Sequence, residues 1–369
     1  MIESGLARAT VSVDLTAVAA NVERLRSLVD PAEVWAVVKA DAYGHWAQSV
    51  GRAALAAGAT RLCVATWDEA RSLREELPDA PILIMSPLVP GQEGQVEDVE
   101  VAVSSVEGYA RLRSLARVPL GVHVKVDTGM GRWGMRPEDA LRIGRSLTEP
   151  GTLRLAGLMS HLASSDSDLA FTEQQIAQFR EIAGEFPPCP RHIANSAAAL
   201  RIEDSRFDAV RCGLAIFGLS PFAGEDPAAD GLRPALRFES YVADVKLLQP
   251  GESAGYGRRF VATEPTWIGL VPAGYADGVP RILSGQAEVL VGGVRRRIAA
   301  TVSMDQLSFV IGPTCDVEPG DPVTLIGRDG AEEITAGDWA ELAGTISYEI
   351  VTGLAPRLRR VEHVFHESR

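Results

Sequence analysis

The chain has 369 residues, 46% of them hydrophobic, which is enough for two domains that each bury a core. Its formal net charge of −13 argues against nonspecific binding to nucleic acid or to an anionic membrane, although a locally basic site for a small anionic substrate is compatible with it. No run of about 18 apolar residues predicts a transmembrane helix, and the N-terminal residues lack the apolar region of a signal peptide.

The first predicted elements are a strand and a helix, in the segment ATVSVDLTAVAANVERLRSLV. From about residue 34 to 218, short β-branched segments then alternate with helical segments rich in Ala, Leu, Glu and Arg. The predicted strands lie at 34–40, 61–66, 82–86, 99–105, 121–128, 153–161, 191–196 and 209–218. This alternation indicates parallel strands joined by crossover helices, and eight units favour a closed (β/α)8 TIM-like barrel over an open sheet.

The pattern changes near residue 230, where short strands divided by Gly, Pro and Asp replace the alternation. They predict an all-β domain with one helix, TAGDWAELAG, before the C-terminal segment. We therefore assign residues 13–230 to the barrel and 231–369 to the β domain, and we expect an N-terminal strand in 1–12 to join the β domain. The predicted fold class is α/β, a (β/α)8 barrel followed by a C-terminal all-β domain.

The four cysteines are scattered along the chain and form no CxxC pair. This distribution is typical of core thiols in a reducing compartment, and not of a disulfide framework or a zinc site. We expect a cytoplasmic protein without a bound metal.

Polar side chains follow several of the predicted barrel strands, at the end where barrels of this type carry their active sites. They are Lys39 after the first strand, Lys125 on the fifth with Arg132 beyond it, His161 at the end of the sixth, Ser196 after the seventh and Arg211 on the eighth. Each residue alone is more often an ordinary structural or surface group. Because the barrel would gather all of them on one rim, together they predict a functional site.

The chemistry of this predicted site starts with Lys39, which follows the apolar segment VWAVV. A lysine at a buried strand end is partly desolvated and becomes a nucleophile, whereas a strand that emerges into water would carry an ordinary surface lysine. The Ser196 hydroxyl, the amides of Gly213 and Leu214, and the Tyr43 hydroxyl are able to bind a phosphate group. A lysine beside a phosphate site suggests pyridoxal phosphate, with a phosphorylated sugar and an aldolase-type lysine as the alternative.

Seven segments are informative as an ordered set: AVVKADAYGH, KVDTGMGRWG, HIANSAA, VRCGLAIFGL, AGYADG, SMDQ and ISYEI. Together they resemble the alanine racemases, pyridoxal-phosphate enzymes of fold type III, and the resemblance spans residues from about 13 to 361. It implies an isomerase that interconverts L-alanine and D-alanine and supplies D-alanine for peptidoglycan. It also implies pyridoxal 5'-phosphate as cofactor and a head-to-tail homodimer whose active sites are each completed by the partner subunit.

The resemblance also implies roles for individual residues. Lys39 would hold the cofactor covalently, and Tyr256, supplied by the partner subunit, would be the second acid/base. The other cofactor-binding residues would be Tyr43, His161, Ser196, Arg211, Gly213, Leu214 and Tyr348. Arg132 and Met304 would contact the substrate, and Lys125, which is carbamylated in some members, would brace Arg132.

Two further residues, Tyr275 and Asp305, would lie at or support the substrate entrance, although Tyr275 could instead be a strand residue of the β core. The chain also departs from the family pattern. Trp46 stands where many members have glycine, Gly255 where serine is frequent, Thr301 where arginine is frequent and Ser303 where cysteine is frequent. None of these departures removes a group with a predicted chemical role, but they leave the substrate range open.

The two-base assignment has a chemical reason. Racemisation removes a proton from one face of the α-carbon and returns one to the other face, so a single fixed base would return it to the same face. Lys39 and Tyr256 would supply the two opposed groups. Arg211 would face the pyridine nitrogen, and because a guanidinium only donates, that nitrogen would stay unprotonated.

Two alternative functions stay open. One is a racemase of the same fold that acts on serine, lysine or a broader set of amino acids. The other is a homologue that binds the cofactor without turnover. Because a pure binder needs neither Tyr256 nor Arg132, their presence favours an enzyme.

Overall fold

The computed structural model describes residues 7–87, 99–116 and 119–363. These residues form two compact units: Ala17–Arg233, called the barrel unit, and the residues up to Thr16 together with those from Pro234 onward, called the β unit. Of the predicted N-terminal segment 1–12, residues 1–6 lie outside the described residues.

The first two elements are strand β1 (Ala9–Asp14) and helix α1 (Leu15–Val29). Eight parallel strands of the barrel unit follow: β2 (Glu33–Val37), β3 (Arg61–Val64), β4 (Ile82–Ile84), β5 (Val99–Val103), β6 (Leu120–Lys125), β7 (Leu153–Met159), β8 (Arg191–His192) and β9 (Ala209–Cys212). Neighbouring strands pair in chain order, and β9 pairs with β2 to close the barrel. The predicted (β/α)8 barrel is confirmed, and every predicted strand overlaps one of these eight, although β2 and β6 each begin one residue earlier than predicted.

The helices of the barrel unit after α1 lie between the strands and after them. They are α2 (Lys39–Gly44), α3 (Ala47–Ala56), α4 (Trp67–Glu76), α5 (Val106–Leu115), α6 (Pro137–Ser146), α7 (Leu169–Glu185) and α8 (Ser196–Arg201). Three short 3-10 turns follow at Glu203–Ser205, Leu214–Phe217 and Pro227–Asp230. Side chains that accept from the free amides of the first turn mark several helix starts, such as Ser105 before α5 and Asp168 before α7.

The β unit contains the eleven remaining strands. They are β10 (Leu236–Tyr241), β11 (Asp244–Leu248), β12 (Ser253–Ala254), β13 (Phe260–Val261), β14 (Thr266–Val271), β15 (Glu288–Val291), β16 (Val294–Arg297), β17 (Leu307–Gly312), β18 (Pro322–Asp329), β19 (Glu332–Ile334) and β20 (Arg359–His363). The largest sheet has the order β16-β15-β18-β10-β1-β20, with β19 paired to β18, and a second sheet has the order β11-β14-β17. In the largest sheet β1 pairs antiparallel with β10 and parallel with β20.

Two helices accompany these strands, α9 (Ala336–Ala343) and α10 (Ser347–Thr352). The predicted helix TAGDWAELAG is α9, which has a Thr335–Asp338 capping box at its start and Gly344 with φ 67° at its end. The sequence pattern missed α10 because its six residues are too few for a helical period. Three 3-10 turns lie at Tyr256–Arg258, Tyr275–Asp277 and Arg281–Leu283. Within the described residues, no helix has both the length and the apolarity that a membrane crossing requires.

Candidate active site

Lys39 lies two residues beyond the end of β2 and opens α2, so the strand ends at Val37 and not at the lysine. Its side chain is half-buried, and the pKa of the amine is lowered, first by burial and then by the nearby charge of Arg132. Glu69 opposes this effect, and Arg211 adds to it. The structure therefore places at the rim an amine that loses its proton more easily than a surface lysine does.

The turn after Lys39 has an unusual backbone. Four consecutive residues, Ala40 to Tyr43, have φ between 52° and 54°, which makes α2 a left-handed turn. A left-handed helical residue other than glycine costs about 1–2 kcal/mol, so surrounding contacts must stabilise this segment. The Asp41 side chain accepts a hydrogen bond from the amide of Ala47 at 3.0 Å, and Tyr43 is buried against Phe217 with 5.1 Å between ring centroids.

Replacing Ala40 by glycine should relieve part of this strain. Ala40 is exposed, so the change loses little packing, and removal of the left-handed penalty should exceed the extra entropy that glycine adds to the unfolded chain. We expect Ala40→Gly to raise the free energy of unfolding by about 0.5–1 kcal/mol in urea denaturation. The matched control, Ala53→Gly inside the right-handed helix α3, should lower it by about 1 kcal/mol. A loss of stability in both variants would contradict the strain argument.

A pocket of polar groups lies between the start of α8 and the end of β9. The Ser196 hydroxyl accepts from the amides of Gly213 at 3.1 Å and Ala215 at 3.3 Å, whereas the amide of Leu214 between them has no acceptor among the described residues. A Cβ at position 213 would lie 2.4 Å from the Tyr43 hydroxyl oxygen, so only glycine fits there. Two hydroxyls and a free amide thus meet at one place, which is a donor set suited to a phosphate group.

The loop after β6 carries Arg132 and Trp133. The Asp127 carboxylate holds this loop by accepting from the amides of Gly129 at 2.9 Å and Gly131 at 3.1 Å. The indole of Trp133 lies 5.7 Å from Lys125 Nζ and 5.6 Å from Arg132 Cζ, within the range of cation–π attraction. Asp127, which is part of the KVDT segment, therefore shapes the loop that presents the arginine.

Five basic groups are close enough at this rim to influence one another. They are Lys39, Lys125, Arg132, His161 and Arg211. Burial and then Arg211 lower the pKa of Lys125 to about 8, and the same two causes hold the pKa of His161 well below its usual range. A locally basic region in a chain of net charge −13 is the arrangement that an anionic ligand needs.

The lowered pKa of Lys125 predicts a pH-dependent stability of the cofactor-free protein. The folded amine titrates at about 8 and an unfolded lysine at about 10.4, so between these values the unfolded chain binds more protons and stability rises with pH. From pH 7.5 to 9, in buffers free of carbon dioxide, the wild type should gain about 1 kcal/mol relative to Lys125→Met. Denaturation curves at each pH measure this difference, and equal gains in the two proteins would contradict the assignment.

Arg211 is buried on β9, and several hydrogen-bond acceptors surround its guanidinium. Nη1 donates to the His192 carbonyl at 2.9 Å and lies 2.6 Å from His192 Nδ1, and Nη2 donates to the Ser160 carbonyl at 2.7 Å. Nη2 also lies 3.3 Å from His161 Nδ1. Nε has no acceptor among the described residues, so this nitrogen stays free to donate to a ligand.

Two histidines of this region, His123 on β6 and His192 on β8, are fully buried and were not predicted as site residues. One signal was available. His123 precedes Lys125 by two residues, and residues two apart on a strand lie on the same face.

The β unit carries the other predicted site residues. Tyr256 opens a 3-10 turn and is 73% exposed, and Met304 is 53% exposed. The amide of Tyr275 donates to the carbonyl of Ser303 at 3.0 Å, which brings Tyr275 beside Met304. Tyr275 lies on a 3-10 turn after β14 and is 42% exposed, so it is not a strand residue of the β core.

Asp305 and Tyr348 complete this set. The Asp305 carboxylate accepts from Arg357 Nη2 at 2.8 Å, and Asp277 accepts from Nε of the same arginine at 2.7 Å. Tyr348 is half-buried on α10. Asp305 is therefore part of a carboxylate–guanidinium brace within the β unit.

Two of the departures from the family pattern have local reasons. Gly255 has φ 65°, and a Cβ there would lie 2.8 Å from Ala300 Cβ, so glycine suits the turn that presents Tyr256. The Thr301 hydroxyl donates to the Tyr256 carbonyl at 3.0 Å and supports the same turn. Trp46 has φ 66°, a conformation that glycine adopts without strain, and nothing in the structure explains the tryptophan there.

Comparisons with known proteins cover nearly the whole chain. The family models for the alanine racemase N-terminal and C-terminal domains match residues 13–221 and 235–362. The alanine racemase of Beutenbergia cavernae is 41% identical over 367 residues, which cover 95% of this chain and 96% of that protein.

Solved structures agree with these matches. The crystal structure of alanine racemase from a D-cycloserine-producing Streptomyces lavendulae has a TM-score of 0.92 and 37% identity, with 99% of each chain covered. That of alanine racemase from Bartonella henselae with covalently bound pyridoxal phosphate has a TM-score of 0.87 and 28% identity, with 96% of this chain and 99% of that chain covered. The chain therefore belongs to the alanine racemase family.

Proposed function

We propose that this protein is an alanine racemase that uses pyridoxal 5'-phosphate to interconvert L-alanine and D-alanine. The observation that carries the proposal is the meeting of three features at one rim of the barrel. These are an amine with a lowered pKa at Lys39, a phosphate-binding set around Ser196, and the free Nε of a buried Arg211. The Bartonella henselae relative, which carries the same cofactor covalently, supports the choice of ligand.

The residues present fit this cofactor. Lys39 would hold it covalently, and the Tyr43 and Ser196 hydroxyls with the Leu214 amide would bind its phosphate. Arg211 would donate from Nε to its ring nitrogen. When bound, the cofactor supplies an electron sink that makes the α-proton of an amino acid acidic.

The protein supplies the proton transfers and the orientation of the substrate. Arg132, whose guanidinium has no ion-pair partner among the described residues, would bind the substrate carboxylate. Lys39 would exchange a proton on one face of the α-carbon, and Tyr256 on the other. Without two opposed groups the proton would return to the face that it left.

We also propose that the protein is a homodimer in which Tyr256 of the partner subunit completes each site. The β unit exposes large apolar side chains that favour an interface: Tyr256, Tyr275, Ile282, Met304 and Ile346. Met304 and Asp305 of the partner subunit would border the substrate in the same arrangement.

We also propose that Lys125 is carbamylated. Its pKa is lowered, so more of the side chain is the neutral amine that reacts with carbon dioxide.

The proposed role is the supply of D-alanine for peptidoglycan in the cytoplasm, where all four cysteines, which lie within the described residues, stay free as they are in the structure. A racemase for serine or lysine is the second candidate, because Thr301 and Ser303 depart from the family pattern beside the exposed Met304.

The test is to incubate the purified protein with L-alanine, with and without added pyridoxal phosphate, and to measure D-alanine. L-serine and L-lysine would be assayed in parallel. If alanine is turned over fastest, the proposal is supported. If serine or lysine is turned over faster, the assigned substrate changes and the proposed racemisation mechanism stays. Cofactor absorbance without turnover of any amino acid would show a binding homologue and overturn the proposed enzyme.

A further inference from the structure

A line of hydrogen bonds crosses the barrel unit from Arg211 to an acidic residue four strands away. Arg211 Nη1 lies 2.6 Å from His192 Nδ1. His192 Nε2 in turn lies 2.8 Å from His123 Nδ1. His123 Nε2 lies 2.7 Å from Glu100 Oε2, near the start of β5. Each ring nitrogen of the two histidines thus has one partner in the line.

The two ends of the line determine its direction. A guanidinium only donates, so His192 Nδ1 must accept and the ring proton of His192 must be on Nε2. That proton is donated to Nδ1 of His123, whose own proton is therefore on Nε2 and is donated to the Glu100 carboxylate. The opposite direction would point an N–H of His192 at the N–H groups of Arg211. Arg61 Nη1 also lies 3.3 Å from His123 Nε2, but the Glu100 oxygen at 2.7 Å is the nearer partner of that nitrogen.

Both imidazoles must be neutral for this pattern. Burial, followed by the charge of Arg61 for His123 and of Arg211 for His192, holds the pKa of each ring well below its usual range. Arg61 pairs with Glu100, and Arg154 Nη2 lies 3.5 Å from the same carboxylate. Two cations therefore flank the acidic end of the line.

Neighbouring strands leave room for these polar side chains. A Cβ at Gly157 on β7 would lie 2.3 Å from His123 Nδ1, and a Cβ at Gly121 on β6 would lie 2.7 Å from Glu100 Cγ. Trp35 packs on His192 with 4.4 Å between ring centroids. The two glycines thus leave space for His123 and Glu100, and the Trp35 ring packs against His192.

We propose that Glu100 is a positioning residue for Arg211 and acts through His123 and His192. This inference rests on the proposed function, because it concerns how Arg211 meets the cofactor. With its ring protons held in one direction, His192 accepts from Nη1 of Arg211, while the Ser160 carbonyl accepts from Nη2. The guanidinium plane is then fixed, and Nε is presented at one angle to the ring nitrogen.

The first experiment uses the cofactor-free wild type, labelled with 15N in its histidines. We expect NMR to show both His123 and His192 as neutral rings that are protonated on Nε2 at pH 7.5. A cationic ring, or a proton on Nδ1 of either residue, would overturn the proposal. This measurement is independent of racemase activity.

The second experiment removes one member of the hydrogen-bonded line at a time, His123 on β6 or Glu100 on β5. His123→Leu and Glu100→Leu should each let His192 populate the form protonated on Nδ1. With cofactor bound, kcat for alanine should fall about tenfold, while KM changes by less than about twofold. Keto acid formed per racemisation turnover should rise about fivefold, because Arg211 holds the ring nitrogen less well.

Two controls separate positioning from general destabilisation. Glu100→Gln keeps an oxygen acceptor for His123, so it should restore the wild-type ring protonation and keto acid ratio. Thr172→Val removes from α7 a buried hydroxyl that donates to the backbone carbonyl of Asp168, and it should lower stability without changing either readout. An unchanged keto acid ratio and unchanged His192 protonation in both leucine variants would overturn the proposal. A wild type that fails to racemise any amino acid would instead overturn the proposed function, and the NMR result would still decide the direction of the line.

Discussion

Lys39→Ala and Tyr256→Phe should each reduce racemisation of alanine by about 10³-fold or more, because each removes one of the two groups proposed to exchange protons. Mixed dimers of the two variants should recover activity. When each site takes Lys39 from one subunit and Tyr256 from the partner, a mixed dimer has one site with both changes and one site with neither. Mixed dimers separated from both homodimers should therefore reach about half of the wild-type activity, and an unfractionated one-to-one mixture, of which about half is mixed dimer, about a quarter.

The measurement needs co-expression of differently tagged variants and purification by both tags. Each variant paired with itself is the control, and circular dichroism shows whether each is folded. Tyr256 is 73% exposed, so the change to phenylalanine should not disturb folding. Inactive mixed dimers of two folded variants would mean that each site uses its own tyrosine, and a fully active Tyr256→Phe would exclude the tyrosine as a base.

Arg211→Glu should shift the reaction from racemisation towards transamination. A carboxyl group can share its proton with the ring nitrogen, whereas the guanidinium only donates hydrogen bonds to it. A protonated ring withdraws more charge from the α-carbon, which favours proton return at the wrong carbon and release of keto acid. We expect racemisation to fall about 10²-fold and keto acid per turnover to rise about tenfold or more, measured together by chiral chromatography and a coupled dehydrogenase assay.

Arg211→Glu should also lose the hydrogen bonds that the guanidinium donates. The Arg211 guanidinium donates to the backbone carbonyls of Ser160 and His192, and a carboxylate would face the same oxygens. Arg211→Gln is therefore the matched variant, since its amide can still donate to a carbonyl but cannot protonate the ring. It should lose racemisation and gain less transamination than Arg211→Glu. Equal keto acid ratios in wild type and Arg211→Glu would show that the explanation is wrong.

Much of the barrel could be predicted because its determinants are local. Strand and helix periods, and the turn residues between them, depend on neighbours in the sequence, and each of the eight predicted strands overlaps one observed strand. The eight strand–helix units also place Lys39 and Arg211 at one end of the barrel, because parallel strands bring their carboxyl ends together. The family resemblance added roles that no spacing contains, such as that of Tyr256.

The remaining features depend on contacts between distant parts of the chain. Ala40 to Tyr43 take a left-handed path that no propensity favours, because packing on Phe217 and the Asp41 bonds outweigh the local strain. His123 and Glu100 could be recognised as a pair only when β5 and β6 lay side by side and glycines on β6 and β7 left them room. Local pattern alone thus determined most of the elements, though not the six-residue helix α10, and where the amine of Lys39 lies. Tertiary structure decided the handedness of the turn after Lys39 and the direction of the hydrogen bonds behind Arg211, because both are fixed by side chains far away in the sequence.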